Sequence, residues 1–308
     1  MEKSEIKPYN DLSGYLKRTY GEKIYKISLN GNMTCPNRDG KVGVGGCIFC
    51  SAGGSGDFAA NSSLSIYDQI EEAKKKVSKK IKNGKYIAYF QAFTNTYAPA
   101  DYLEKIFTEA ISHPDIEILS IATRPDCLPD DVCDLLEKLN KIKPVWVELG
   151  LQTIHEQTAE KIRRGYDLSV FDKAVKNCKA AGLYTVVHMI IGLPGETPEM
   201  AAQTAGYIGK SGADGIKLQL LHVLRGTDMA EQYAAGEFEV MSMEEYISAL
   251  EECVRRLPPQ MTVHRLTGDG DKKYLIAPLW SADKKRVLNA VNGAFRRDNV
   301  VQGEHYEV

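Results

Sequence analysis

Three cysteines in one short stretch carry the densest chemistry in this 308-residue sequence. They are Cys35, Cys47 and Cys50, in Cys-Pro-Asn-Arg-Asp-Gly-Lys-Val-Gly-Val-Gly-Gly-Cys-Ile-Phe-Cys. Thiolates are soft ligands, and Gly40, Gly43, Gly45 and Gly46 let the backbone fold back so that all three can converge on one centre. A cubane iron–sulfur cluster held this way keeps one iron without a protein ligand. Such an iron binds and activates a small molecule where a four-thiolate cluster only passes electrons. Structural zinc competes for the same residues, because a Cys-x-x-Cys pair with two further ligands also holds a tetrahedral ion. The stretch alone fits both.

The elements around it must position those thiols. A strand-like run, Lys23 to Leu29, precedes the loop, and a long Gly-rich segment follows it to about Ser63. From Leu64 the pattern alternates. Helices are expected over 65–82, 100–112, from Asp130, over 154–163 and 168–181 as a broken pair, over 198–210 and over 243–256. Strands are expected over 86–92, 116–122, 145–149, 184–191 and 215–220. Short β-rich runs alternating with amphipathic helices imply parallel strands joined by right-handed crossovers. Six repeats are too few to close an eight-fold barrel. The expected fold is α/β, an incomplete (β/α)6 barrel over residues 23–257, with a short N-terminal extension (1–22) and a C-terminal cap (258–308). Within the cap, Val263 to Asp271 reads as one more strand and a loop, and 282–297 as a basic helix.

In parallel α/β folds the chemistry sits at the carboxyl ends of the strands. Gln91 and Ala92 lie there after the second strand, Arg124 and Asp126 after the third, and Gln152 after the fourth. Glu148 is inside the fourth strand, His188 in the fifth, Lys217 and Gln219 in the sixth, with His222 just beyond. A charge inside an apolar strand is costly unless paired or wet. Five strand ends with the same polar habit describe a polar-lined lumen roofed by the cysteine loop.

Composition narrows the class. Lys and Arg number 39 against 41 Asp and Glu, so no global field advertises nucleic acid. No apolar run reaches the ~18 residues of a membrane span, and the polar start lacks a signal peptide's apolar stretch; a soluble cytoplasmic protein with no membrane contact is expected. The chain has seven cysteines, for which disulfides are not expected in that compartment. Cys178 and Cys253 fall in helix patterns and read as small buried hydrophobes, while Cys127 and Cys133 flank a loop-to-helix boundary. Two basic surfaces are available to RNA. One is the lysine run from Lys74 to Lys85; the other is Lys284, Lys285, Arg286, Arg296 and Arg297, with Trp280 as a stacking platform.

With these residues assembled, the chain resembles the radical S-adenosylmethionine (SAM) enzymes, and within them the YtqA/YhcC-type family. The matching stretches are Cys35-Pro-Asn-Arg-Asp-Gly40, Gly45-Gly-Cys-Ile-Phe-Cys50, Ser51-Ala-Gly-Gly-Ser-Gly-Asp-Phe58, Tyr89-Phe-Gln-Ala-Phe-Thr94, Ala122-Thr-Arg-Pro-Asp-Cys127, Glu148-Leu-Gly-Leu-Gln-Thr153, Gly192-Leu-Pro-Gly195 and Val263-His-Arg-Leu-Thr-Gly-Asp-Gly270. The resemblance covers nearly the whole chain, from Tyr20 to about Trp280. The first cysteine gap holds eleven residues, where the commonest radical SAM signature has three; this family shares the longer gap.

The resemblance implies a 4Fe-4S cluster on Cys35, Cys47 and Cys50, with the amino and carboxylate groups of SAM on the open iron. Reductive cleavage of SAM then gives methionine and a 5'-deoxyadenosyl radical that abstracts hydrogen from substrate. Carried over by position, Phe49 would pack near the adenine, and Gln91 and Ala92 would meet the methionyl amino group. Glu148 and Arg164 would hold ribose or carboxylate, and His222 would border adenine. Within the family the chain looks most like the YtqA subgroup, MnmL-like, implicated in bacterial tRNA modification. That implies a wobble-uridine substrate in tRNA, its 5-carboxymethylaminomethyl group processed to the 5-aminomethyl form. It also implies an electron donor such as flavodoxin or ferredoxin, and a downstream tRNA methyltransferase. Arg163 and Tyr166 stand where close relatives often carry Asn and His. A radical SAM enzyme acting on a small molecule, and a non-catalytic zinc or RNA-binding protein, are the alternatives.

Overall fold

Runs rich in Val, Ile and Tyr form the strands of one sheet, and the apolar-striped segments between them form the helices that cover it. The computed structural model describes residues 7–54, 60–77, 84–268, 270 and 272–307. The expected motif residues 55–58, Asp269, Asp271 and three members of the lysine run (Lys79, Lys80, Lys82) lie outside those residues. In chain order the elements are α1 (Leu12–Tyr20), β1 (Tyr25–Leu29), α2 (Ile66–Val77), β2 (Tyr86–Phe90), α3 (Ala100–Ser112), β3 (Ile116–Thr123), α4 (Asp130–Asn140) and β4 (Val145–Gln152). They continue with α5 (Glu156–Lys161), α6 (Leu168–Ala180), β5 (Tyr184–Ile191), α7 (Pro198–Lys210), β6 (Gly215–Leu220), β7 (Val223–Leu224), α8 (Asp228–Ala234), α9 (Met243–Arg255), β8 (Thr262–Arg265), β9 (Leu275–Ala277) and α10 (Lys284–Arg297).

The main sheet has seven strands in the order β1-β2-β3-β4-β5-β6-β8, all pairings parallel. Six strands are the expected ones. The seventh comes from the Val263 stretch, which pairs with β6 through Ile216 and Val263. Among the described residues no pairing joins β8 to β1, so the barrel stays partial. The segment before α1 runs along that opening: Asp11 bridges to Val263, whose amide donates to the Asn10 carbonyl at 2.8 Å.

Side chains alternate across each strand. Outward residues such as Leu29, Phe90, Leu119, Ile121, Val147, Val187 and Leu218 are buried beneath the helices as the main core. Inward residues stack in layers. At the strands' amino ends lie Ile87, Ile118 and Trp146, packed against Leu16 of α1 and against Ile24. The Tyr15 ring meets Tyr184 at 5.5 Å, so α1 stoppers the bottom of the barrel. Leu16→Ala removes the centre of that stopper and is expected to cost about 2–3 kcal/mol of unfolding free energy. A urea midpoint unchanged from the parent would show that α1 is dispensable.

The C-terminal elements brace the mouth. β7 and β9 pair antiparallel, and α10 buries Val287, Val291, Ala294 and Phe295 in the main core. Trp280, expected as an exposed stacking platform, is half-buried. Its indole N–H donates to the Met241 carbonyl at 3.0 Å, and its ring lies 5.8 Å from Tyr246.

Candidate cofactor site at the barrel mouth

The cysteine loop is held by its own backbone and by two long side chains. Gly45 and Gly46 have φ near +83° and +85°, a left-handed region that side chains rarely adopt. A Cβ on Gly46 would fall 2.9 Å from the Arg38 Nε. That closeness matters, because the Arg38 guanidinium donates to the carbonyls of Cys50 and Ser51 at 3.0 and 2.6 Å. The Asn37 amide donates to the Arg163 carbonyl at 2.5 Å and to the Cys47 sulfur at 3.5 Å. Ile48 anchors the loop in a second apolar cluster with Ile162, Ile190, Leu193 and Met229, and the Met229 amide at the start of α8 donates to its carbonyl at 3.0 Å. Burial, and then the neighbouring Cys50, pushes the Cys47 thiol up to about 11, so a metal binding there displaces a proton.

Beneath the loop opens a cavity of about 920 Å³, the upper end of the range for small-molecule sites (roughly 300–1,000 Å³). Cys35, Cys47, Cys50, Phe49, Gln91, Glu148, Arg164 and His222 all line it. Ala92 is buried and is not among the lining residues. Arg164 is almost wholly buried, and its guanidinium is largely committed: to the Thr153 carbonyl at 2.6 Å, the Glu156 carboxylate at 3.0 Å and the Tyr166 carbonyl at 3.0 Å. Arg124 pairs both nitrogens of its fork with Asp126, at 2.9 and 2.8 Å, and donates to the Arg164 carbonyl. The Tyr166 ring lies beside both guanidinium groups, at 5.2 and 4.6 Å. His222 is closed in by Gly268 and Gly270, where a Cβ would meet the imidazole at 2.6 and 2.8 Å.

Glu148 is completely buried at the centre of the lumen. One carboxylate oxygen takes the Lys26 ammonium at 2.6 Å and the Ser120 hydroxyl at 2.6 Å; the other takes His188 Nε2 at 2.7 Å and the Lys217 ammonium. Burial alone would raise this carboxyl, but Lys217, then Lys26 and His188, outweigh it and hold it well below the usual range. Five strands supply that one constellation. The sequence marks Glu148, His188 and Lys217 as costly strand residues; two-residue alternation from Gln91 places Tyr89 on the same face, whereas Lys26 and Ser120 were missed because strand order brings them in. Gln152 stands out in the structure, with φ of 71° at a non-glycine residue and a buried Oε1 that accepts no hydrogen bond among the described residues.

The donor set can be tested against zinc. A tetrahedral zinc with bonds of ~2.3 Å holds its sulfurs roughly 3.8 Å apart. Among the described residues Glu71, His113 and Asp115 have their ligand atoms within 4.8 Å of one another, whereas the three thiols are not all that close. A cubane binds each thiolate to a different iron, and three soft thiolates from one loop that line a cavity are a donor set that fits it. The Glu71 group itself is filled by Lys74, whose ammonium lies 2.6 Å from both carboxylates; His113 is buried there with Nε2 2.9 Å from Glu71.

Residues 35–208 match the family model of the Radical SAM superfamily, and residues 213–297 match the model of the Radical_SAM C-terminal domain. The uncharacterized protein YtqA of Bacillus subtilis is 44% identical over 98% of this chain and 94% of its own length. YhcC of Escherichia coli K12 is 38% identical over 89% of this chain and 88% of its own. A tRNA uridine(34) acetyltransferase of Methanocaldococcus jannaschii is 29% identical over 49% of this chain, which is 28% of that enzyme. Among solved structures, Elp3 of Methanocaldococcus infernus superposes with a TM-score of 0.70 at 18% identity, covering 91% of this chain and 64% of that one; the likeness is one of fold. No helix among the described residues is long and apolar enough to cross a membrane. With its half-barrel, its family match over more than half the sequence and relatives along nearly all of it, this chain belongs to the radical SAM superfamily of enzymes.

Proposed function

We propose that Cys35, Cys47 and Cys50 hold a 4Fe-4S cluster and that SAM binds its open iron. We further propose that the substrate is a tRNA wobble uridine, whose 5-carboxymethylaminomethyl group is taken to the 5-aminomethyl form. The observation that carries the reading is three thiols of one loop lining a single cavity of about 920 Å³, in a chain whose residues 35–208 match the Radical SAM superfamily. When bound, the cluster and SAM supply one-electron cleavage to methionine and a 5'-deoxyadenosyl radical that takes a hydrogen atom from substrate.

The chain's own residues bind and orient. Phe49 offers an apolar face to the adenine, with His222 bordering it on the far side of the mouth. The strand end at Gln91 meets the methionyl amino group, with the buried Ala92 supporting it from behind. Arg164 keeps one Nη1 hydrogen for ribose or carboxylate, while Arg124 and Tyr166 fix its position. Glu148, whose oxygens already take four donors, works by holding Lys217 and His188 in place. Stacked side-chain layers and the α1 stopper keep bulk water from the lower lumen.

Support for tRNA comes from two sides. The acetyltransferase relative acts, by its name, on tRNA uridine 34. Arg38, Lys272, Lys273 and Lys284 line the mouth, where a phosphodiester backbone would pass. Hydrogen abstraction from the methylene between nitrogen and carboxylate would leave a radical stabilised by both neighbours; return of one further electron to the cluster and loss of a proton would give an imine, which water splits into the 5-aminomethyl amine and glyoxylate. A flavodoxin or ferredoxin supplies the electron in a cytoplasmic setting, and a tRNA methyltransferase takes the amine onward.

Nucleoside analysis of tRNA incubated anaerobically with reconstituted enzyme, SAM and reductant is the test. The expected result is conversion of the wobble-uridine arm to aminomethyl. An unchanged arm, with SAM cleaved in the presence of a metabolite pool, would transfer the activity to a small molecule.

A further inference from the structure

The bottom of the cavity holds an imbalance of charge. Lys26 from β1 and Lys217 from β6 both bear on the one carboxylate of Glu148. His188, from β5, adds no compensation of its own: burial, then Lys217, pushes its imidazole down to about 4. The Tyr89 ring from β2 stands between the two ammonium groups, 4.2 Å from Lys26 and 4.5 Å from Lys217. Arg265 from β8 adds its charge nearby and also lines the cavity. Ser120 from β3 is the neutral member of the ring.

Lys217 faces the cavity, whereas Lys26 is not among its lining residues. The Lys217 ammonium has three hydrogens; Glu148 and the Tyr89 hydroxyl, at 3.2 Å, take two. Its side chain is 6% exposed, so water does little to compensate it. A buried charge of this kind is stabilised by an anion brought to it.

We infer that Lys217, backed by Lys26 and Tyr89, is a carboxylate-binding subsite at the foot of the cavity, and that its ligand is the acid end of the substrate's arm. Lys26 and Lys217 share one carboxylate, which leaves one charge over between them and suits a second carboxylate. Lys217 lies within the sheet, in register through His188 with Gly150, and lines the cavity wall where the tip of an extended arm would enter. Burial, opposed by Glu148, brings Lys217 down to about 7, so an anion seated on it would raise that value again. The identity of the molecule bearing the carboxylate rests on the tRNA reading; the subsite does not.

Two sources of carboxylate exist, the substrate's arm and SAM itself, and the experiment separates them. Reconstituted holoenzyme labelled with ε-carbon-13 lysine is titrated by NMR with N-methylglycine, and then with dimethylamine as the same probe without its acid. The signal missing from Lys217→Met is expected to shift its titration upward with the first probe only. In the full reaction, Lys217→Met should raise KM for tRNA roughly 10- to 100-fold, the size of a charge-assisted hydrogen bond, with the SAM dissociation constant unchanged. Lys217→Arg should recover most of the loss, which a merely structural role would not predict. A probe shift without any tRNA product supports the subsite and removes the tRNA reading instead. No probe shift, or a SAM dissociation constant weakened as much as KM, overturns the proposal.

Discussion

Replacing Cys35, Cys47 or Cys50 by Ala is expected to take reductive SAM cleavage to background, a loss of roughly 1,000-fold or more, equivalent to about 4 kcal/mol of transition-state stabilisation. Each substitution removes one of the three proposed cluster ligands, so visible absorption and bound iron and sulfide should fall together. Cys178→Ala and Cys253→Ala form the control. Both thiols are fully buried, in α6 and α9, among apolar neighbours. Burial pushes both upward, Cys178 to about 12, so they remain neutral and make poor ligands. Losing either sulfur should cost about 1 kcal/mol of stability and leave cleavage within twofold. Retained turnover in any of the first three variants would refute the cluster assignment. A colourless reconstituted protein carrying one zinc would do so independently.

How much of this was readable beforehand depended on how local the cause was. β5, α7 and β6 have the expected boundaries, because each is fixed by its own residues. β5 and β6 are apolar runs, and α7 opens with Pro198 behind Thr197, whose hydroxyl accepts from the Met200 amide. The layered lumen was half legible: alternation places Glu148, His188 and Lys217 inward, but not who meets whom. Lys26 and Glu148 are separated by more than 120 residues, and their 2.6 Å contact is a product of strand order. The role of α1 was hidden for the same reason. Nine residues with Leu12 and Leu16 on one side announce an amphipathic helix, but Ile87, Ile118 and Trp146, which receive it, lie far along the chain. β7, β9 and α8 are too short to carry a periodic signal, yet the Met229 amide of α8 holds the cysteine loop.

Glu148→Gln is expected to lower the unfolding free energy by about 2–4 kcal/mol at about pH 6, because it leaves the buried Lys217 ammonium without its counter-charge and the partly exposed Lys26 beside it. The amide keeps the shape of the carboxylate, so little of the loss is cavity formation. Lys217 gives the effect a direction with pH. Glu148 opposes the burial that brings Lys217 to about 7; without it Lys217 titrates lower and sheds its proton more readily. The cost of the substitution should therefore shrink as pH rises toward 9. In the parent, the folded carboxyl of Glu148 lies well below its ordinary 4.5, so its contribution is full above that pH and is lost as pH falls through the folded value. Glu148→Gln should lack that acid step. Adding Lys217→Met to Glu148→Gln removes the second stranded charge, and the double variant should be more stable than the sum of the two single losses predicts. Urea unfolding carried from pH 9 down to about pH 2 reads all three effects. A single-variant loss below about 1 kcal/mol at pH 6, or strict additivity in the double, would mean that the ring of charges is solvated and that the lumen floor is no electrostatic unit.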